Sequence, residues 1–200
     1  ELNRQKAYGA DVISRISAAE KGQLPQLVRT VRDQIADASR QLMERNEVLS
    51  VEKMVVVGNT TMLHILAGEN PKSLGYAPYI PIFLEKRKYA GKDFGFPVRE
   101  VWLPPASSAF IGADLTAGIL STDLLNYKNA ILIDLGTNGE VILKKGNEIY
   151  AASTATGPAF EGASIEKGLG GVPGAVNRVI WQEDKIIYDT VSGEATGISG

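Results

Sequence analysis

The segment Ala130–Tyr150 constrains the fold of this chain more than any other stretch. An apolar run, Ile131–Ile133, leads into Asp134 and a turn of small residues at 136–139. Two more apolar runs follow, at 140–144 and 148–153, with a Lys-Gly-Asn turn between them. Short runs of this kind, separated by glycine and asparagine, are typical of consecutive β-strands joined by tight turns. The segment therefore predicts three successive strands, with a carboxylate at the end of the first.

The turn after Asp134 has the composition of an anion-binding loop. Its glycines, Gly136 and Gly139, let backbone N–H groups approach a phosphate closely, and Thr137 and Asn138 add donors. A carboxylate at the end of a strand can hold Mg²⁺ through water. The alternative is an ordinary hairpin turn with a structural role only.

A second glycine element lies downstream of the three strands. Gly157–Pro158 opens a predicted helix over 158–167 and offers another place for an anion, at a helix N-terminus. Two such elements in succession favour the anion-binding interpretation of the first.

Cysteine is absent and histidine occurs once, as His64. Within these 200 residues, this excludes a disulfide framework, a thiolate nucleophile, a cysteine-ligated zinc or iron–sulfur centre and a multi-histidine metal site. Any metal is expected to be a hard cation bound by carboxylates and phosphates. His64 is interpreted as a packed or surface residue of a predicted helix rather than as a base.

The charge balance points away from polyanionic partners. The formal net charge is −2, with 44% hydrophobic and 22% charged residues, as in soluble globular proteins. No apolar run approaches the roughly 20 residues of a membrane helix. We expect no nucleic-acid partner and no membrane partner. We also expect a cytoplasmic location. The first residue is Glu1, and we expect the sequence to be a segment of a longer chain.

The first 126 residues are predicted to form a helical start and a strand–turn–helix unit. Helices are predicted over 8–21, ended by Gly22, and from Pro25 to Arg45. Met54–Val57 is predicted to be a strand buried on both faces.

A turn at 58–61 follows that strand and leads into a helix over 62–67. Such a turn lies where open α/β sheets place their ligands. Thr60 or Thr61 is therefore expected to face a ligand or, in the alternative, only to cap the helix.

Residues 68–100 are rich in proline and aromatic side chains and are interpreted as an irregular insertion with its own aromatic cluster. The functional interpretation is a partner-docking surface, and the alternative is a loop fixed to the lobe by its aromatic residues. Beyond it, we predict a strand over 101–103, a helix over Ala109–Leu120, a lobe boundary at 125–129, and a hairpin over 176–191.

Five phrases occur in an order that resembles one family. They are Tyr8–Ile16, Gly58–Met62, Leu103–Leu120, Ile133–Glu140 and Gly157–Ala163. Together they resemble the ATPase domain of the reductive activators of corrinoid proteins, within the actin, sugar-kinase and heat-shock ATPase superfamily, and the similarity spans nearly the whole chain.

The resemblance implies an α/β fold with two ribonuclease-H-like lobes, both incomplete here. Residues 1–126, including the insertion over 68–100, would belong to the first lobe, and residues 127–200, including the phosphate hairpin over 130–153, to the second. The segment alone is expected to be inactive, since the superfamily closes on nucleotide from both lobes.

The function implied by the resemblance is coupling of ATP hydrolysis to one-electron reduction of Co(II) corrinoid to Co(I). The partner would be a corrinoid protein or a corrinoid-dependent methyltransferase, the cofactors ATP and Mg²⁺, with an iron–sulfur cluster in a flanking domain. A homodimer is left open. The alternatives are a small-molecule kinase of the same superfamily and a non-hydrolysing docking scaffold.

The resemblance also assigns roles to residues. Asp134 would be the catalytic carboxylate that orients Mg²⁺ or water, because positioning and charge neutralisation dominate phosphoryl transfer. The residues implied to contact nucleotide or phosphate are Gly136, Thr137, Asn138, Gly139, Asn59, Thr60, Gly157 and Glu161.

Overall fold

The computed structural model describes residues 3–8, 11–136, 138–155, 166–169, 172–182 and 184–199. It divides into two compact units. The first comprises Glu1–Asp134 and Glu140–Ser153, and the second comprises Leu135–Gly139 and Thr154–Gly200. In the described part, no helix is long and apolar enough to cross a membrane.

The first unit begins with helices that pack on one another. A 3₁₀ turn, Arg4–Tyr8, precedes helix α1 (Val12–Ala18), and a single π-helical turn leads into helix α2 (Leu24–Arg45). Gly22 adopts φ +84° at the bend between them, a conformation that suits glycine. The predicted stop at Gly22 and the long helix to Arg45 are therefore confirmed.

A three-stranded sheet follows, with the order β1 (Lys53–Val55), β3 (Glu100–Leu103), β2 (Arg87–Ala90). β1 runs parallel to β3, and β2 runs antiparallel to it. Helix α3 (Thr60–Ala67) follows β1 in the chain, and a helix was predicted there. The short helix α4 (Gly91–Phe94) follows β2.

The aromatic residues of 68–100 do not form a separate cluster but fix the segment to the first unit, as in the alternative interpretation. This segment supplies strand β2 of the sheet. Phe83, Phe94 and Phe96 are buried in one core with side chains of α2, α3 and β3. The aromatic residues lie in the main core because β2 pairs with β3 and brings the segment over the same apolar face.

The prediction that the first strand is buried on both faces is also wrong. β1 is three residues long and lies at the edge of the sheet, and Val55 is 54% exposed. Helices α2 and α3 cover the face that carries Val101 and Leu103, whereas Lys53 and Val55 of β1 are exposed. An apolar run alone does not distinguish one covered face from two.

Helix α5 spans Ala113–Ser121 and begins four residues later than predicted. The Ser108 hydroxyl accepts hydrogen bonds from the N–H groups of Phe110 (3.2 Å) and Ile111 (3.1 Å), which holds this stretch in a turn. Because of these hydrogen bonds to the Ser108 side chain, helix α5 begins only at Ala113.

The three predicted strands after residue 128 are present. They are β4 (Asn129–Leu135), β5 (Asn138–Lys145) and β6 (Glu148–Ala155), in the order β4-β5-β6. Within the first unit, α5 packs against this sheet through a core that contains Leu115, Leu124 and Ile142. The helix thereby holds its N-terminus at a fixed position relative to β4.

The second unit contains a four-stranded sheet in the order β7 (Gly168–Leu169), β10 (Gly197–Ser199), β8 (Ala175–Gln182), β9 (Lys185–Thr190). β8 and β9 pair antiparallel, which confirms the predicted hairpin. Most of the predicted helix over 158–167 lies outside the described residues.

Candidate functional site

The loop after β1 carries the first two candidate residues. The Asn59 side chain accepts a hydrogen bond from Thr61 N–H (2.9 Å) and so caps helix α3. The Thr60 hydroxyl donates to the Ser108 carbonyl (2.7 Å), and Thr60 is 1% exposed. Asn59, rather than a threonine, is therefore the cap of α3. The Thr60 hydroxyl forms its hydrogen bond within the protein.

The N-terminus of α5 lies against the same loop. Ala113 N–H donates to the Gly58 carbonyl (3.1 Å). A β-carbon at Gly112 would lie 2.4 Å from that carbonyl and 2.7 Å from the Asp114 carboxylate, too close for any side chain. Glycine at 112 thus allows the loop after β1 and the start of α5 to touch. Asp114 stands in the first turn of α5, where the helix dipole favours a carboxylate.

Three carboxylates interact in the first unit. Burial raises the pKa of Glu140, and the negative charges of Asp114 and then Asp134 raise it further. The Ser153 hydroxyl lies 3.5 Å from the Glu140 carboxylate and opposes this shift. Burial and two negatively charged neighbours therefore disfavour the ionised form of Glu140.

The carboxylates suit a hard cation held through water. Oxygen donors are what Mg²⁺ prefers, and Mg²⁺ usually retains several waters. In the part of the chain that the structure describes, no three carboxylate or histidine side chains are close enough to one another to ligate an ion directly. Binding of Mg²⁺ would then depend on water and on the oxygens of a bound phosphate.

The turn after β4 is described in part. Gly136 N–H donates to the Asn138 carbonyl (3.0 Å), and Gly139 is buried. Thr137 lies outside the described residues, as do two other predicted phosphate contacts, Gly157 and Glu161.

The structure brings together some predicted residues and adds others. Within the first unit, Gly112 places the loop at 58–59 beside Asp114, and Asp114 and Asp134 each raise the pKa of Glu140. Asp114 and Glu140 were missed as site residues. They stand in two of the five phrases that carried the family resemblance, 103–120 and 133–140, and an acidic residue in each was the available signal.

The mixed α/β sheets with a strand–turn–strand element after Asp134 are consistent with the ASKHA fold class, and the comparisons agree. A family model described as the RACo middle region matches residues 1–127, and one described as the C-terminal ASKHA domain of RACo matches residues 128–200. The chain belongs to the RACo family. The predicted fold class and family resemblance are confirmed.

Two curated relatives and one solved structure are similar over most or all of the chain. "Corrinoid activation enzyme RamQ" of Eubacterium limosum is 35% identical over 97% of this chain. The "[Co(II) methylated amine-specific corrinoid protein] reductase" of Methanosarcina barkeri is 31% identical over 75% of it. A solved "Reductive activator for corrinoid,iron-sulfur protein" matches the whole chain with a TM-score of 0.80 and 32% identity. The alignments cover 34% of the length of each of these three proteins, so the chain spans about a third of each.

Proposed function

We propose that this chain is the ATP-responsive part of a reductive activator, which couples ATP hydrolysis to one-electron reduction of a Co(II) corrinoid to Co(I). The electron would come from a reduced iron–sulfur centre outside these residues, since the chain has no cysteine to hold one. The names of both curated relatives, which refer to corrinoid activation and to a corrinoid-protein reductase, support this proposal.

The observation that carries the nucleotide part is the group of interacting carboxylates Asp114, Asp134 and Glu140. Mg²⁺ bound with a nucleotide would supply charge neutralisation for the phosphates and for these acids. Asp134, at the end of β4, would hold the waters of the ion. Asp114 would accept a hydrogen bond from an attacking water and orient it, and Glu140 would set the local charge that draws the cation in.

The lobe assignment also remains a proposal. We infer that 1–126 belongs to one lobe and 127–200 to the other. The meeting of the two family models at 127/128 supports this division, whereas the compact units divide later, after Asp134. The corrinoid protein as partner, a methyltransferase as its context, a homodimer and a cytoplasmic location are part of the same proposal.

The test uses the complete protein with its corrinoid partner. We expect Asp134→Asn to abolish Mg²⁺-dependent phosphate release and the spectral change from Co(II) to Co(I), while the fold is kept. Asp114→Asn should lower both rates by at least roughly a hundredfold, the contribution typical of a positioned general base. Glu148→Gln, which alters an exposed carboxylate on the same sheet, is the matched control.

Phosphate release by Asp134→Asn within a factor of about two of wild type would contradict the proposal, since that is well under 1 kcal/mol of barrier. Phosphate release that needs a small acceptor and ignores the corrinoid protein would identify a kinase instead. Tight nucleotide binding without hydrolysis would identify a scaffold.

A further inference from the structure

The first sheet has one face in the core and one face in solvent. Along β3, Val101 and Leu103 are buried, while Glu100 and Trp102 are partly exposed and alternate with them. The register places Val55 of β1 and Lys88 of β2 opposite Trp102. We call the solvent-facing set the Trp102 face, and its members are Lys53, Val55, Lys86, Lys88, Glu100 and Trp102.

Three lysine ammonium groups surround the single indole ring of Trp102. Their nitrogens lie 4.1 Å (Lys53), 4.9 Å (Lys86) and 5.4 Å (Lys88) from the ring centroid. Each distance is within the range of a cation–π contact. The electron-rich ring therefore gathers three positive charges over one part of the sheet.

The positive charge of the Trp102 face is only partly compensated. Glu100 pairs with Lys88 at 2.7 Å and accepts a hydrogen bond from the Trp102 indole N–H at 3.1 Å. In the described part of the chain, neither Lys53 nor Lys86 has a carboxylate within ion-pair distance. The face thus carries an excess of positive charge on a chain whose net charge is −2.

Like charges held this close repel one another, so added carboxylates would relieve the repulsion. Val55 is 54% exposed beside the indole and gives the face an apolar contact surface as well. Tryptophan is enriched at protein interfaces. Glu100 within the face and the negative net charge of the chain both disfavour a continuous polyanion such as nucleic acid.

We propose that the Trp102 face docks an acidic surface segment of the corrinoid protein, and this inference rests on the proposed function. Lys53 and Lys86 pair with carboxylates of the partner, and Trp102 and Val55 contact its apolar side chains. Complementary charge of this kind accelerates association and orients the partner.

The experiment measures binding of the complete protein to its purified corrinoid protein between about 50 and 300 mM salt. We expect Lys53→Gln/Lys86→Gln to weaken binding roughly tenfold at the lowest salt and to flatten the salt dependence. Lys92→Gln, at an exposed lysine of α4 outside the Trp102 face, is the matched control and should bind within about twofold of wild type. Phosphate release without the partner should be unchanged in both variants.

Equal affinity and an equal salt slope in the double variant and wild type would overturn the inference. So would a lowered melting temperature of the double variant with unchanged partner binding, which would mean that the protein's own chain covers this face. If the double variant loses binding to a 20-nucleotide single-stranded DNA but still binds the corrinoid protein, the face is a polyanion site and the inference is overturned. If the wild-type protein neither binds nor reduces the corrinoid protein, the proposed function itself fails.

Discussion

The imidazole of His64 stacks on the ring of Phe83, with centroids 4.3 Å apart and 18° between the ring planes. His64 Nδ1 lies 2.7 Å from the Thr60 carbonyl, and His64 Nε2 lies 3.0 Å from Ile82 N–H. A carbonyl can only accept and an N–H can only donate, so Nδ1 carries the proton and Nε2 accepts. His64 is thus a neutral, fully buried residue, which agrees with its interpretation as a packed or surface residue rather than a base.

His64 makes the stability of the first unit depend on pH. Burial lowers the pKa of His64 below its ordinary value, and the nearby Arg87 charge lowers it further. The unfolded chain takes up this proton near pH 6.5, and the folded protein takes it up at a lower pH. The free energy of unfolding is therefore expected to be highest above about pH 6.5 and to fall as pH drops from there through the folded pKa.

His64→Phe keeps the stacking but leaves Ile82 N–H without an acceptor, at a cost of about 1–3 kcal/mol at pH 8. Denaturant unfolding of wild type and variant at pH 8 and pH 5.5 checks this. The difference between the two proteins should shrink at pH 5.5, because only wild type loses stability through this group. A constant difference at both pH values would contradict the assignment.

Arg32 joins helix α2 to the end of helix α3. Its Nε and Nη2 atoms donate to the Leu66 carbonyl at 3.0 and 2.8 Å, and its guanidinium lies 4.1 Å from the Phe94 ring centroid. Lysine has no planar fork, so Arg32→Lys should lower the free energy of unfolding by about 1–2 kcal/mol. Urea unfolding is the measurement.

Arg29→Lys, on the same helix, provides the comparison. Its side chain is 84% exposed and pairs with the exposed Asp33 at 3.6 Å, so the change should stay within about 0.5 kcal/mol. Equal losses for the two variants would show that the contacts of Arg32 do not stabilise the fold.

Substitutions of Asn59 distinguish a role in capping helix α3 from a role in contacting nucleotide. Asn59→Ala should cost about 1 kcal/mol of stability because helix α3 loses its cap, whereas Asn59→Asp retains an accepting oxygen at Thr61 N–H. If Asn59 also faces phosphate, the added charge of Asn59→Asp should weaken Mg-ATP binding several-fold while stability is kept. Thermal unfolding and calorimetric titration of the complete protein separate the two roles. Unchanged nucleotide affinity in Asn59→Asp would leave capping as its role.

Substitution of Glu140 tests whether negative charges repel one another in the candidate site. Because burial and the neighbouring Asp114 and Asp134 raise its pKa, the ionised form is unfavourable in the folded state. Glu140→Gln should therefore stabilise the protein at pH 7, and the gain should shrink as pH falls and Glu140 becomes protonated in the wild type. Melting curves at pH 7 and pH 4 are the measurement. Glu148→Gln should show no such gain, and a Glu140→Gln variant less stable than wild type at pH 7 would contradict the electrostatic account.

Much of the secondary structure follows from the sequence. The helix from Leu24 to Arg45, the strands β4 to β6 and the β8–β9 hairpin were predicted within a few residues, because periodicity and turn residues act over short distances. The predicted start of α5 was wrong because the Ser108 hydroxyl accepts hydrogen bonds from backbone N–H groups just before the helix.

The candidate site was predictable only in part. Asp134 and its turn stand in one continuous phrase and could be found there. Asp114 and Glu140 are 26 residues apart in the chain, and their interaction depends on α5 packing against the β4–β6 sheet. No local pattern encodes that contact.

The sequence by itself determined most of the helices and strands, though not β2, and that no thiol or multi-histidine chemistry occurs in these residues. Only the tertiary structure decided that one face of β1 and β3 is exposed, that the aromatic residues of 68–100 enter the main core, and that three carboxylates interact. Local structure depends on neighbours along the chain, whereas burial and charge interactions depend on neighbours in space, which only the packed fold brings together.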